Sequence, residues 1–164
     1  MNPEYFVYTD GSCKAGERSP GGWGYCIRQP QGGDLEAHGS AIDTQAKVME
    51  YTAVAEALAA LPDGARATVF SDNQALVENC RKALEGWRQS GWRKVDPAIV
   101  ELVKRIDGQI TEKKLSLTWQ WVRGHRANSG NARADELAGQ GAREAKAAVE
   151  KAERERRRSR FGTG

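Results

Sequence analysis

Four acidic residues stand where an acid is out of place: Asp10, Glu50, Asp72 and Asp135. Asp10 closes the strand-like run YFVYTD and Asp72 closes TVFSD, so each follows an aromatic and a hydroxyl residue and precedes a small one. An ionised carboxylate beside a buried strand is unfavourable unless it is hydrogen-bonded, paired or held on a metal. Glu50 falls in the second turn of an apolar helical run, and Asp135 in the first turns of the helical segment NARADELA. Singly, each has an ordinary explanation, because strand-end aspartates cap turns and acids early in a helix complement its dipole. Together they would repel one another and be fully ionised only around divalent cations. Oxygen-only ligands select a hard ion, Mg²⁺ or Mn²⁺. Two such ions about 4 Å apart would clamp the attacking water and the leaving oxygen of a phosphodiester.

Elements must bring these acids together. Residues 5–10, 22–29 and about 35–42 read as three short strands separated by AGERSPGG and PQGGD, connections short enough for an antiparallel meander. Residues 45–61 are rich in Ala and Leu and end at Pro62-Asp63-Gly64, a helix with a clear stop. ARATVFSD predicts a strand, 73–85 a helix, and 97–109 a further helix with Asp96 as N-cap and Pro97 in its first turn. In LSLTWQWV, Leu115, Leu117, Trp119 and Trp121 alternate with polar residues, the pattern of a strand with one core face. After a polar loop at 123–130 the chain is predicted helical from about Asn131 onward. Strands followed by strand–helix alternation imply a mixed α/β sheet with helices packed on it. If the strands ending at Asp10 and Asp72 are parallel neighbours, both carboxylates project at the sheet edge where α/β proteins place ligands.

The 164 residues suffice for one domain with a real core. Three cysteines without a CxxC spacing support neither a disulfide framework nor structural zinc and fit a reducing cytoplasm. The absence of a signal-like N-terminus or a membrane-length apolar run predicts a soluble protein. The net charge of +3 is unevenly spread: residues 142–164 carry eight bases against four acids, leaving the first 141 residues at −1. The chain divides accordingly, with 1–141 as the working domain and 142–164 as a basic helical extension fraying at its end and open to nucleic acid or protein. Within the body, 81–94 interleaves five bases and two tryptophans with one acid, a composition suited to phosphate and sugar contact, or equally to an amphipathic helix whose tryptophans are core.

The motifs YTDGSC, GGWGY, MEY, SDNQAL, GWRQSGW and WQWVRGHRANSGNARADELA together resemble those of the type 1 ribonucleases H, in order and over roughly residues 5–140. The resemblance implies a ribonuclease H-like fold, a five-stranded mixed sheet with three antiparallel N-terminal strands and helices on both faces. It implies a monomeric, Mg²⁺-dependent endonuclease with two ions per site, Mn²⁺ able to substitute, that hydrolyses the RNA strand of RNA/DNA hybrids to 3′-hydroxyl and 5′-phosphate ends. Asp10, Glu50, Asp72 and Asp135 match the metal carboxylates, with Asp10 bridging, and His125 matches a mobile histidine that aids product release or proton transfer. Trp87, Arg88, Trp92, Arg93 and Lys94 match a basic protrusion gripping the DNA strand. Cys13 and Gln74 match positions beside the hybrid backbone, and Asn131 begins the helix presenting Asp135. The chain departs from the family's Thr-Thr-Asn-Asn-Arg-x-Glu: it reads TQAKVME, which leaves Thr44, Gln45 and Lys47 to meet the hybrid there. A related nuclease with another substrate and a non-catalytic hybrid-binding module are the competing readings.

Overall fold

The computed structural model describes residues 3–16, 18–124 and 128–162. Five strands form one sheet in the order β3-β2-β1-β4-β5: β1 Glu4–Cys13, β2 Ser19–Arg28, β3 Asp34–Thr44, β4 Arg66–Ser71 and β5 Ser116–Trp121. The first three are antiparallel, and β4 joins β1, and β5 joins β4, in parallel. The helices are α1 Ala46–Ala60, α2 Gln74–Glu78, α3 Leu84–Gln89, α4 Val100–Glu112 and α5 Ser129–Phe161. A single π-helical turn, Asn79–Ala83, joins α2 to α3.

Side chains alternate across a strand, and the two faces of this sheet bury different partners. Val7, Ile27 and Val69 point to the side of α1, where they join Tyr51, Val54, Leu58, Leu76, Val103 and Ile106 in the main core. Their neighbours Tyr8 and Cys26 point the other way, against Ala134 of α5. Glycines let α5 lie close to β2: a methyl group on Gly24 would come 2.6 Å from the Leu137 Cβ, and one on Gly22 would strike the α5 backbone at Ala138 and Ala142. Tyr8, stacked on Phe70 at 4.7 Å, covers Gly130 at the start of α5.

The sheet is more extensive than the alternation pattern predicts, since β1, β2 and β3 run to 10, 10 and 11 residues. Asp10 therefore lies inside a strand rather than at its end. Pairing with β4 stops at Tyr8↔Phe70, while pairing with β2 continues to Cys13↔Gly21, so β1 parts from β4 two residues before Asp10. The stop of α1 lies where the sequence predicts it, with a cap supplied from afar: Lys113 Nζ donates to the carbonyls of Leu58, Ala59 and Leu61 at 3.2, 2.7 and 2.8 Å. An ammonium there satisfies orphan carbonyls and opposes the negative end of the helix dipole.

Helix α4 starts at Val100, not at residue 97, because Asp96 caps only a local turn: its Oδ1 accepts from the Ala98 N–H at 2.9 Å, and the chain turns once more before the helix begins. The helix predicted over 73–85 is continued to Gln89 through the π-helical turn. α5 begins at Ser129, with the Asn128 side chain accepting from the Asn131 N–H at 2.9 Å as N-cap. It then runs unbroken through residues 141 and 142, the boundary expected between body and tail. Among the described residues, no helix is long and apolar enough to cross a membrane.

Candidate metal centre and nucleic-acid surface

The site forms in the cleft between β1 and β4. Asp10 is 6% exposed, and one of its oxygens accepts from the Gly11 N–H at 2.9 Å. Thr9 spans the opening by donating its hydroxyl to the Phe70 carbonyl at 3.0 Å. On the far side, Asp72 comes directly after the last residue of β4, and its carbonyl accepts from Trp121 Nε1 at 3.1 Å, which fixes the end of β4 to β5. Glu50 enters from the second turn of α1. It can do so because Gly11 carries no side chain: a methyl there would sit 2.6 Å from the Glu50 amide nitrogen and 2.8 Å from its Cγ.

As a result, Asp10, Glu50 and Asp72 can each offer one carboxylate oxygen within 4.8 Å of the other two. Three convergent anionic oxygens are an unfavourable arrangement unless a cation balances them, and a hard divalent ion is the cation such donors suit. Asp135 is outside this trio. It sits half-buried on α5, one turn beyond Asn131 and next to Ala134, whose carbonyl faces Gly24, the strand partner of Asp10. Asn131 lines a small hollow with Thr9, Asp10, Asp72, Val122 and Gly124. Its Nδ2 is buried and has no hydrogen-bond partner among the described residues, leaving a donor beside the carboxylates for an incoming acceptor. His125 lies outside the described residues.

Asn73 belongs to this site, although its position after Asp72 suggests only a helix cap. Its Oδ1 does cap α2, accepting from the Leu76 N–H at 3.0 Å, but its Nδ2 also donates to Glu50 Oε2. One amide thus joins the turn carrying Asp72 to the carboxylate arriving on α1. The sole signal in the sequence is an amide, rather than a hydroxyl or acid, at a cap position, and an amide carries its acceptor and its donors on separate atoms that can reach two partners.

The residues expected at the nucleic acid divide into two groups. Gln45, just before α1, and Gln74, the first residue of α2, are exposed. Thr44 is buried, and the Cys13 thiol lies 3.7 Å from its carbonyl and 3.2 Å from Ser19 Oγ, which binds the ends of β1, β2 and β3 together. Lys47 is paired with Asp96 at 2.9 Å, joining α1 to the segment before α4. The Ala98 N–H and then Lys47 hold the Asp96 carboxyl below the usual carboxylate range.

In the protrusion, Trp87 and Trp92 are half-buried against the main core, while Arg93 and Lys94 are exposed. Arg88 forks onto Asp107 of α4 at 3.0 and 2.6 Å. Helix α3 closes with the Gly91 N–H on the Arg88 carbonyl and the Trp92 N–H on the Trp87 carbonyl, at 3.1 and 2.8 Å. Gly91 takes φ +71°, as this closure requires, and Trp92 comes next at φ +67°.

A family model described as RNase H matches residues 2–143. A ribonuclease H of Polaromonas naphthalenivorans (strain CJ2) is 40% identical over 138 residues, spanning 82% of this chain and 84% of that protein. One from Bordetella pertussis (strain Tohama I) is 39% identical over 138 residues, spanning 82% of this chain and 86% of its own. Among solved structures, a type 1 RNase H with the type 2 active-site motif superposes with a TM-score of 0.73 at 24% identity, over 87% of this chain and 73% of that one. An RNase H1 in complex with an RNA/DNA hybrid superposes at 0.61 and 22% identity, over 86% and 98%.

Proposed function

The chain belongs to the RNase H family, and from that premise we propose that it is an endonuclease hydrolysing the RNA strand of RNA/DNA hybrids, with 3′-hydroxyl and 5′-phosphate products. The convergence of the Asp10, Glu50 and Asp72 oxygens within 4.8 Å carries this reading. These donors fit Mg²⁺, with Mn²⁺ able to replace it. Asp10, Glu50, Asp72 and Asp135 would hold two ions, which supply positive charge to activate the attacking water and stabilise the leaving oxygen.

The chain's own groups have definable tasks. Asp10 is immobilised by its strand and by the Gly11 N–H, so its oxygens would be offered to the ions without reorganisation. Asn73 holds Glu50 in one rotamer. The unpartnered Asn131 Nδ2 is offered to a phosphate oxygen or a 2′-hydroxyl, the group that distinguishes RNA from DNA. His125 is assigned to proton transfer or product release, a task suited to an imidazole that titrates near neutral pH. Gln45, Gln74, Trp87, Trp92, Arg93 and Lys94 are assigned to the hybrid backbone, with Cys13, Thr44, Lys47 and Arg88 shaping the surface on which it lies. The protein acts as a monomer in the cytoplasm on this reading.

The test is cleavage of matched hybrid, duplex RNA and duplex DNA, with and without Mg²⁺, by the wild type and by Asp10→Asn. Expected is Mg²⁺-dependent cleavage of the hybrid RNA strand alone, abolished in a folded Asp10→Asn variant. Near-normal activity of that variant overturns the metal assignment, and preferential cutting of another duplex overturns the substrate.

A further inference from the structure

The family match ends at residue 143, yet α5 continues to Phe161. Ala145 is the last buried residue of the helix, and everything from Glu150 to Gly162 is exposed. Beyond Ala145 the helix runs on for 16 residues, about 24 Å. Packing does not hold it in shape. Its sequence does: Glu150–Arg154 and Glu153–Arg157 are i,i+4 pairs with the acid N-terminal, the favourable order.

Between 150 and 160 the helix carries six bases against three acids, with five arginines at 154, 156, 157, 158 and 160. At its root, Arg143 and Lys146, with Glu150 and Glu153 beyond them, line a groove whose other wall includes Ser12 and Cys13, on the strand that holds Asp10, and Lys14 just after it. Farther out, the helix surface running on from that groove presents Arg156, Arg157 and Arg160 around Glu153. Along this surface, from Lys14 after β1 to Arg160, six bases thus outnumber two acids. The composition disfavours other occupants. Ala147, Ala148, Val149, Ala152 and the 86%-exposed Phe161, with no apolar residue from 153 to 160, do not make a coiled-coil seam with a second copy or the apolar face of a membrane-surface helix.

We propose that the projecting half of α5, residues 146–160, is a second nucleic-acid contact: a basic rail that takes the phosphate backbone of a duplex seated at the carboxylate cleft, beyond the stretch reached by the family's domain. Only the kind of duplex rests on the functional reading above. The rail reads charge and makes no sequence distinction. Its length corresponds to about seven base pairs at 3.4 Å per step, so a duplex lies along the whole rail only if it extends about that far beyond the part held at the cleft.

The experiment is equilibrium binding in EDTA across a salt titration, with the full-length chain and hybrids of about 12 and about 30 base pairs. A variant with Arg154, Arg156, Arg157, Arg158 and Arg160 all changed to Gln is compared with the wild type and with the five-Lys variant, with helix content checked by circular dichroism. Expected for the Gln variant on the long hybrid is a loss of about 10- to 100-fold at low salt and a log–log salt slope shallower by about 2 to 4. On the short hybrid the loss should stay below about threefold, and the five-Lys variant should restore the slope. Wild-type slope and affinity in the Gln variant on the long hybrid overturn the rail, as does an equal loss on both lengths. Because no step here requires cleavage, a chain that binds in this way but cuts no hybrid would overturn the catalytic reading and leave the rail standing.

Discussion

Gly11 and Glu50 meet backbone to backbone: a methyl group on Gly11 would stand 2.6 Å from the Glu50 amide nitrogen and 2.9 Å from the Met49 carbonyl carbon. The strand that carries one carboxylate is thus the surface against which the helix carrying another is seated. Gly11→Ala must push the first turns of α1 away from β1, since backbone atoms cannot step aside as a flexible side-chain end can. Overpacking of this kind costs about 1 to 3 kcal/mol, which a domain of this size survives. The displaced Glu50 should lower kcat by about 100-fold, the penalty for a misplacement near 1 Å, with a near-native circular dichroism spectrum. Wild-type kcat in Gly11→Ala would show that Glu50 need not be held there.

Asn73 makes a second, separable prediction. Asn73→Ala removes an N-cap, worth about 1 kcal/mol, and releases Glu50 from its amide. Asn73→Ser keeps a capping oxygen but cannot also donate across to Glu50. Both variants should therefore need several-fold more Mg²⁺ for half-maximal cleavage, while only Asn73→Ala loses appreciable thermal stability. An unchanged Mg²⁺ requirement in both would reduce Asn73 to a cap.

Arg88 and Arg93 should behave in opposite ways despite their shared segment. Arg88 is committed to Asp107, so Arg88→Gln should lower the melting temperature and leave the salt slope of hybrid binding near the wild-type value. Arg93 is exposed and donates through its Nε to the Ser90 carbonyl at 3.1 Å, with no partner on a distant element among the described residues. Arg93→Gln should make the slope shallower by up to about 0.9, one phosphate contact, without a change in melting temperature. A reversal of the two outcomes would place Arg88 on the nucleic acid.

The core cysteines impose a pH dependence on stability. Burial pushes the Cys80 thiol up to about 12, and burial followed by Asp34 and Glu36 pushes Cys26 up to about 11. An unfolded chain releases these protons near 8.5. Between that value and the native one the unfolded state holds fewer protons, so stability falls as pH rises, and below about 8.5 this component is intact. The urea midpoint should therefore drop from pH 7.5 to pH 10, and drop less in Cys80→Ala than in the wild type. Equal drops would mean that Cys80 ionises freely in the native state.

Much of the scaffold was legible because local patterns carried it. The two aspartates after aromatic–hydroxyl pairs marked two strands with like ends, which the structure pairs in parallel, and the alternation around Trp119 marked β5. What escaped depended on partners distant in the chain. Lys47 and Arg88 read as free bases because Asp96 and Asp107 lie 49 and 19 residues away. The fit of Glu50 against Gly11 is a matter of shape between segments that no periodicity connects. Asp96-Pro97 carried a sound capping signal, and the chain used it for a turn ahead of the helix. The second task of Asn73 was hidden because one side chain performs both.

The π-helical turn at Asn79–Ala83 sets the phase of α3. With five residues taking the place of about four, it offsets that helix by roughly 100° from the direction an unbroken α-helix would give. That offset lets Leu84 and Trp87 settle toward the core while Arg88 reaches Asp107. Losing one residue here would act less as a shortening than as a turned key, facing the tryptophan outward and the basic stretch to a new side. Length in this segment is therefore a setting of angle, and substitutions within it should be tolerated far better than deletions.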